Sequence, residues 1–272
     1  MKQLRVNGYD MSYIEAGEGT PLVCVHGSLC DYRIWAPVMT MLATRHRVIA
    51  LSLRHFYPEA WDGTGTGFTV AQHVVDVISF IEGLGLGPVH LMGHSRGGHI
   101  AFRVAGARPE LLRKLVLAEP GGTLDPSLAQ EAALPAGAPS PSDYTAAAAA
   151  QIAAGDIEGG LTTFFEAIEG PGSWKGLARV AKQTLRDNAR TLLGQINEQR
   201  RPYTRAEAEA ISVRTLFIGG ANTPGRLPEI LHALAAHVPG ARTVILPSTT
   251  HMMMLQAPER FSAAVLDFLS AS

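Results

Sequence analysis

Cysteine is nearly absent, with only Cys24 and Cys30 in 272 residues. Two cysteines cannot build a disulfide framework, and at this spacing they form no paired metal-ligand motif. Charge is also sparse, at 17% of residues, and balanced, with 23 Lys+Arg against 24 Asp+Glu. The net charge of −1 leaves no basic footprint, which argues against nucleic-acid binding through bulk electrostatics. No uninterrupted apolar run approaches the roughly 18 residues needed to cross a bilayer. Residues 1–6 lack the apolar segment of a secretory signal. These shortages lead us to expect a soluble, cytoplasmic protein, monomer or homodimer, with no membrane and no nucleic-acid partner.

Apolar side chains, by contrast, make up 46% of the chain, too many for a disordered polymer. Short, nearly continuous apolar runs lie at 21–25, 47–51, 88–92 and 114–118, and two more at 214–218 and 242–246. Such runs read as strands buried on both faces of a parallel sheet. Residues 2–7 and 10–16 read as a hairpin turning at Asn7-Gly8. Helical segments alternate with the strands. Thr69-Val70-Ala71-Gln72 has the spacing of a capping box, and Val70, Val74, Val77, Ile78 and Ile81 follow on one helical face, ended by Gly83 and Gly85. A second helix follows Ser95 and stops before Arg108-Pro109. The last starts at Pro258 and carries Phe261, Val265, Phe268 and Leu269 on one side. This alternation predicts an α/β fold, a parallel sheet covered by helices on both faces.

Between about 121 and 210 the strand signal stops. A loop rich in Gly, Pro and Ser (121–142) leads into helix-prone stretches at 143–154, 157–168 and 174–198. The alanines at 146–150 could belong to a linker. An all-helical insert is the better reading, because Ile152, Ile157, Leu161, Phe164, Phe165 and Ile168 supply a buried face. The expected division is a core at 1–122, a helical insert at 123–210 and a second core portion at 211–272.

Chemistry concentrates at Gly93-His94-Ser95-Arg96-Gly97, with Gly98 behind it. This G-x-S-x-G lies directly after an expected strand and directly before an expected helix, the context the motif requires. A nucleophile at so tight a turn is strained, and close backbone approach leaves room only for glycine two positions away. The helix amino terminus behind it favours negative charge there. A second element, His26-Gly27-Ser28, ends an earlier buried strand. Acyl transfer builds an oxyanion that fixed N–H donors stabilise, and the expected donors are the backbone N–H groups of Arg96 and Ser28. His26 itself is expected to pack and hold the loop. The third element is His251, in the loop between the final strand and the terminal helix, where the chain order Ser…acid…His places a base. His90, His94 and His99 straddle a strand, a turn and a helix, so no metal site is expected of them.

With these elements the chain resembles the α/β-hydrolase superfamily over essentially its whole length. It is similar to the capped esterase, lactonase, C–C hydrolase and dehalogenase branch. The matching pieces are His26-Gly27, Gly93-His94-Ser95-Arg96-Gly97-Gly98, His251, and Gly219-Gly220 after the penultimate strand. The resemblance implies an eight-stranded, mostly parallel sheet flanked by helices, with the insert as a helical cap over the active site. Two departures stand out. Where many members carry an aspartate after the seventh strand, this chain reads Gly220-Ala221-Asn222-Thr223-Pro224, and Asn222 cannot carry a charge. Some members place the acid after the sixth strand, where this chain has Glu119; Asp125 is the other nearby carboxylate. After the fourth strand, Ser52-Leu53-Arg54-His55-Phe56-Tyr57 replaces the Asp-x-Arg-Gly-x-Gly often found there.

The expected function is a cofactor-free, metal-free serine hydrolase of a small ester or lactone, with Ser95 as nucleophile, His251 as base and Glu119 as acid. Hydrolysis of a carbon–carbon bond by the same serine is the alternative in the enzyme class. A non-catalytic small-molecule binder on the same fold is the alternative outside it, although a pure binder needs no intact triad. Phe164, Phe165 and Trp174 in the insert, with Met252 beside the base, point to an apolar or aromatic substrate group, unless they only fill the core of the insert.

Overall fold

Residues 1–130 and 141–271 are described by the structure, a computed structural model. The apolar runs form strands β1 (Lys2–Val6), β2 (Tyr9–Ala16), β3 (Thr20–Val25), β4 (His46–Leu51), β5 (Val89–His94), β6 (Leu112–Ala118), β7 (Thr215–Gly220) and β8 (Arg242–Leu246). They make one eight-stranded sheet in the order β1-β2-β4-β3-β5-β6-β7-β8. β2 pairs antiparallel with β1 and β4, and all other neighbours are parallel. β5 and β7 are buried along their whole length and β3, β4 and β6 nearly so, whereas β8 at the edge is largely exposed.

Helices α1 (Ala36–Leu42), α2 (Val70–Leu84) and α3 (Arg96–Ala107) belong to the first core portion. The insert between β6 and β7 contains α4 (Pro126–Ala129), α5 (Pro141–Ala153), α6 (Ile157–Glu169), α7 (Ser173–Gly176), α8 (Arg179–Asp187), α9 (Thr191–Gln195) and α10 (Arg205–Glu209). The core closes with α11 (Leu227–His237), α12 (Met253–Gln256) and α13 (Pro258–Ser270). Alternating residues of each strand serve opposite faces of the sheet. Leu22 and Cys24 join Trp35 and Phe261 on one side, a cluster that continues into the insert through Phe164, Phe165 and Leu192. Val23 and Val25 join Phe80, Ile100 and Leu231 on the other. Among the described residues, no helix is long and apolar enough to cross a membrane.

Three local expectations change in detail. Thr69 Oγ1 accepts the Gln72 backbone N–H (3.0 Å), but the Gln72 side chain donates forward to Asp76 (2.9 Å) rather than back to the cap. Only half of the capping box forms, and α2 runs through Gly83 to end against left-handed Gly85 (φ 63°). Its buried face turns toward His73, Val77, Phe80 and Ile81, leaving Val74 and Ile78 partly buried. The stretch 174–198 is broken into α7, α8 and α9. Asn188 explains the second break: its amide donates to Thr184 O and Asp31 Oδ2 and accepts from Tyr57 N, so it ties the insert to the core instead of continuing the helix. Of the expected loop at 121–142, residues 131–140 lie outside the described residues, α4 occupies 126–129 and α5 starts at Pro141. The alanine run lies in α5, where Ala148 and Ala149 are buried and a Cβ on Gly160 of α6 would come within 2.6 Å of Ala148 O. Small side chains there allow close helix approach.

The insert is also held by charge. Arg96 and Glu198 are buried side chains, with Arg96 Nη2 donating to Glu198 Oε2 at 2.7 Å and Nη1 pairing with Oε1. Arg96 Nη2 also donates to His73 Nδ1 (3.1 Å), which burial and the guanidinium keep neutral. Removing one partner of a buried pair strands the other charge, at a cost of about 3–5 kcal/mol. We therefore expect Glu198→Ala to lose about that much unfolding free energy in urea titrations, and the double variant Arg96→Met/Glu198→Leu to lose clearly less.

Candidate active site

The carboxyl ends of β3, β5, β6 and β7 face one edge of the sheet, where ligands bind in open α/β folds. The turn from β5 to α3 is shaped by backbone contact. A Cβ on Gly93 would lie 2.2 Å from Gly97 O, and one on Gly97 would lie 2.2 Å from Val25 O. A Cβ on Gly98 would meet Pro120 Cα at 2.9 Å, so each of the three glycines is required by a neighbour. Between them Ser95 adopts φ 53°, ψ −118°, a conformation that ordinary residues avoid. It is held there because Ser95 N donates to Ala118 O (3.0 Å), while Ser95 O accepts from Gly121 N (2.9 Å) and His99 N (3.0 Å).

Glu119 continues β6 into its loop at φ 38° and is fully buried. Its Oε2 accepts from His251 Nδ1 at 2.7 Å. Its Oε1 accepts from Gly220 N (2.8 Å) and Thr223 Oγ1 (2.7 Å). His251, in the loop between β8 and α12, is also buried, and its backbone carbonyl accepts from His94 Nε2 at 3.0 Å. Burial, then the nearby His251, holds the His94 pKa well below its usual value. A neutral His94 therefore braces the His251 backbone. Asn222 is an exposed residue and donates its backbone N–H to Thr249 O (2.8 Å). Asp125 caps α4 through Ser127 N (2.9 Å). Sequence reasoning missed Thr223 and His94; a hydroxyl one residue beyond the position usually held by the acid was the available signal.

His26 Nε2 accepts from Leu53 N (3.0 Å), so its Nδ1–H donates to Gly27 O (2.8 Å) and the ring pins two loops together. Ser28 Oγ donates to Gln195 Oε1 of α9 (2.7 Å), and Leu29 behind it sits at φ 60°. The Arg96 side chain turns to Glu198, leaving its backbone N–H, the first of α3, without an intrahelical acceptor.

Ser28, Ser95, Phe164, Phe165, His251 and Met252 together line a cavity of about 30 Å³. Trp174 is not among its lining residues; it stands behind Phe165, with ring centroids 5.8 Å apart. Glu169, the last residue of α6, also lines the cavity. Thr250 Oγ1 bonds its Oε2, its Oε1 has no partner, and burial pushes its carboxyl above the usual range. An open groove of about 440 Å³ shares Phe165, Glu169 and Met252 with this cavity. A second cavity of about 70 Å³ shares Ser28, Ser95, Phe164 and Ile168 and is otherwise walled by groups that include Tyr144, Arg200 and Arg226.

This sheet, turn and site define a hydrolase fold, and the chain belongs to the alpha/beta hydrolase family, whose profile matches residues 22–264. It is 25% identical to an (E)-2-((N-methylformamido)methylene)succinate hydrolase from Acinetobacter baylyi, across 98% of this chain and 96% of that one. A soluble epoxide hydrolase from Corynebacterium sp. is 35% identical over 115 residues, covering 42% of this chain and 40% of that protein. Among solved structures, the enol-lactonase from Burkholderia xenovorans superposes with a TM-score of 0.81 at 20% identity, covering 99% of this chain and 100% of that one.

Two outcomes follow. Gly97→Ala places a methyl 2.2 Å from a strand carbonyl that cannot move cheaply, so unfolding free energy should fall by at least about 2 kcal/mol in urea. The buried His26, pushed down to about 4, must stay neutral in the fold. The unfolded chain then binds more protons below its ordinary value of about 6.5, so stability rises with pH. Urea midpoints should fall as pH drops from about 6.5 toward 4.

Proposed function

We propose that the protein is a serine hydrolase that cleaves a carboxylic ester or lactone with a largely apolar group, using only groups of the protein and water. The observation that carries this reading is the buried 2.7 Å contact from His251 Nδ1 to Glu119, in a cavity shared with a strained Ser95. With Nδ1–H donated to Glu119, His251 presents Nε2 as the acceptor for the Ser95 proton. Ser95 Oγ attacks the carbonyl carbon, the proton passes to His251, and the oxyanion is held by the N–H groups of Ser28 and Arg96. His251 returns the proton to the leaving alkoxide, and an acyl-enzyme remains. Water attacks it by the same route and regenerates Ser95. Glu119 fixes the ring's tautomer and stabilises the imidazolium, its own charge supported by Gly220 N–H and Thr223. The helices of the insert act as a cap, supplying Phe164 and Phe165 to the wall.

A serine at this position weighs against epoxide-hydrolase and dehalogenase chemistry, for which the resembling families use an aspartate. Ser95→Ala removes only a hydroxyl, so it should abolish ester turnover and fluorophosphonate labelling while leaving the fold intact. Labelling that persists at another serine would sink the assignment. Glu119→Gln should lower kcat at least about 10²-fold on an activated ester, with Asn222→Ala and Asp125→Asn each changing it less than about tenfold. Steady-state kinetics of the three variants side by side decide between the candidate acids.

A further inference from the structure

Ser95 lies between two cavities of unlike polarity. The smaller is walled by Leu29, Phe164, Phe165, Leu185 and Met252, and among the described residues lining it Glu169 is the one acidic side chain. The second is walled by Tyr144, Gln195, Arg200 and Arg226, and none of the described residues lining it is acidic.

The charges behind the second wall do not cancel. Glu198 is shared: Arg96 holds both of its oxygens, and Arg200 Nε donates to Oε1 at 2.5 Å. Two guanidiniums against one carboxylate leave one positive charge in a setting where Glu198 is 2% exposed. The neighbouring rings leave this balance unchanged, since burial and the surrounding arginines keep His73 and His99 neutral. A little further out the pattern repeats, with Arg103 and Arg201 both on Glu207. Arg200 Nη2 is shielded from solvent and has no hydrogen-bond partner. A buried donor on a charged group is costly to leave unpaired, and a planar guanidinium edge suits a carboxylate oxygen well.

The smaller cavity has the opposite bias. A carboxylate placed there would meet Glu169 and, behind His251, the Glu119 carboxyl. Electrostatics therefore orients a two-armed molecule across Ser95, the anionic arm toward the arginines and the apolar arm toward the phenylalanines.

We propose that the substrate is an anionic ester or lactone, with a carboxylate a short chain away from the scissile carbonyl bound by Arg200, beside Arg226. A half-ester of a short dicarboxylic acid has this chemistry. The proposal rests on the hydrolase reading for the position of the scissile bond, yet binding can be measured without turnover.

The test is calorimetric titration of the Ser95→Ala protein with two pairs of probes. Monomethyl glutarate carries the carboxylate on the acyl arm and is compared with methyl pentanoate. Acetoxyacetate carries it on the alcohol arm and is compared with ethyl acetate. In at least one pair the anion should bind about tenfold tighter or more. Adding Arg200→Gln should erase that preference, and Arg200→Lys should restore part of it, with circular dichroism and Tm confirming the fold. Equal affinities within both pairs would overturn the proposal without any Arg200 variant. So would a preference that survives Arg200→Gln in a folded protein. Wild-type turnover of the same esters is read separately. Anion-selective binding without turnover would reject the hydrolase reading and leave the anion site standing, whereas turnover without anion preference would do the reverse.

Discussion

Backbone pressed against backbone at the β5–α3 turn is the constraint on which the site depends. The missing side chains of Gly93 and Gly97 let α3 start directly against the ends of β3 and β5. That approach fixes Ser95 at positive φ and aims the amino terminus of α3 at it. It also brings Gly27 close to His94 and Ser95, since a Cβ on Gly27 would lie 3.0 Å from each. The proposed nucleophile and the proposed oxyanion loop are thus positioned by one steric event. Leu29, Ser95 and Glu119 all take positive φ at this edge of the sheet, so strain gathers where the chemistry is proposed.

Beside that turn the Glu119 carboxylate is fully matched. Each oxygen of Glu119 has a donor, and the donors come from three separate segments, β7, the loop after it and the loop after β8. His94 locks the backbone of His251 from the other side. Buried networks satisfied in this way are rigid, which suits groups that must be in place before a substrate arrives. At the turn itself His94 Nδ1 and Arg96 Nε have no hydrogen-bond partner. Glu169 Oε1 and Arg200 Nη2 lack partners, and both side chains line the cavities beside Ser95.

Much of this was legible in the residues. The parallel strands announced themselves because strands covered on both faces must be apolar throughout, and α13 starts at Pro258 and buries the four residues its spacing selects. The G-x-S-x-G turn was readable because sterics, not propensity, dictates its glycines. Glu119 was legible through the resemblance, since some members carry the acid after the sixth strand, and not from its strand-end position alone; the structure puts it against His251. What the residues did not reveal depends on tertiary partners. Asn188 breaks the long insert helix through contacts with Asp31 and Tyr57, which lie more than a hundred positions away. Thr223 and Glu198 look like ordinary polar residues until folding brings them to Glu119 and Arg96. Trp174, on α7, packs its ring against Phe165 instead of lining the cavity.

The loop after β7 has a double duty that bears on how such a chain diverges. Thr223 supports Glu119, while its neighbours Pro224, Gly225 and Arg226 face the second cavity. With the proposed acid placed just after β6, the loop no longer has to present a charge to the histidine. Chemistry and recognition are then encoded in adjacent but separable letters. On the proposed assignment, drift at 224–226 would retune what the second cavity accepts while Thr223 and Glu119 leave the proposed reaction centre unchanged, so new preferences would be reachable by single steps.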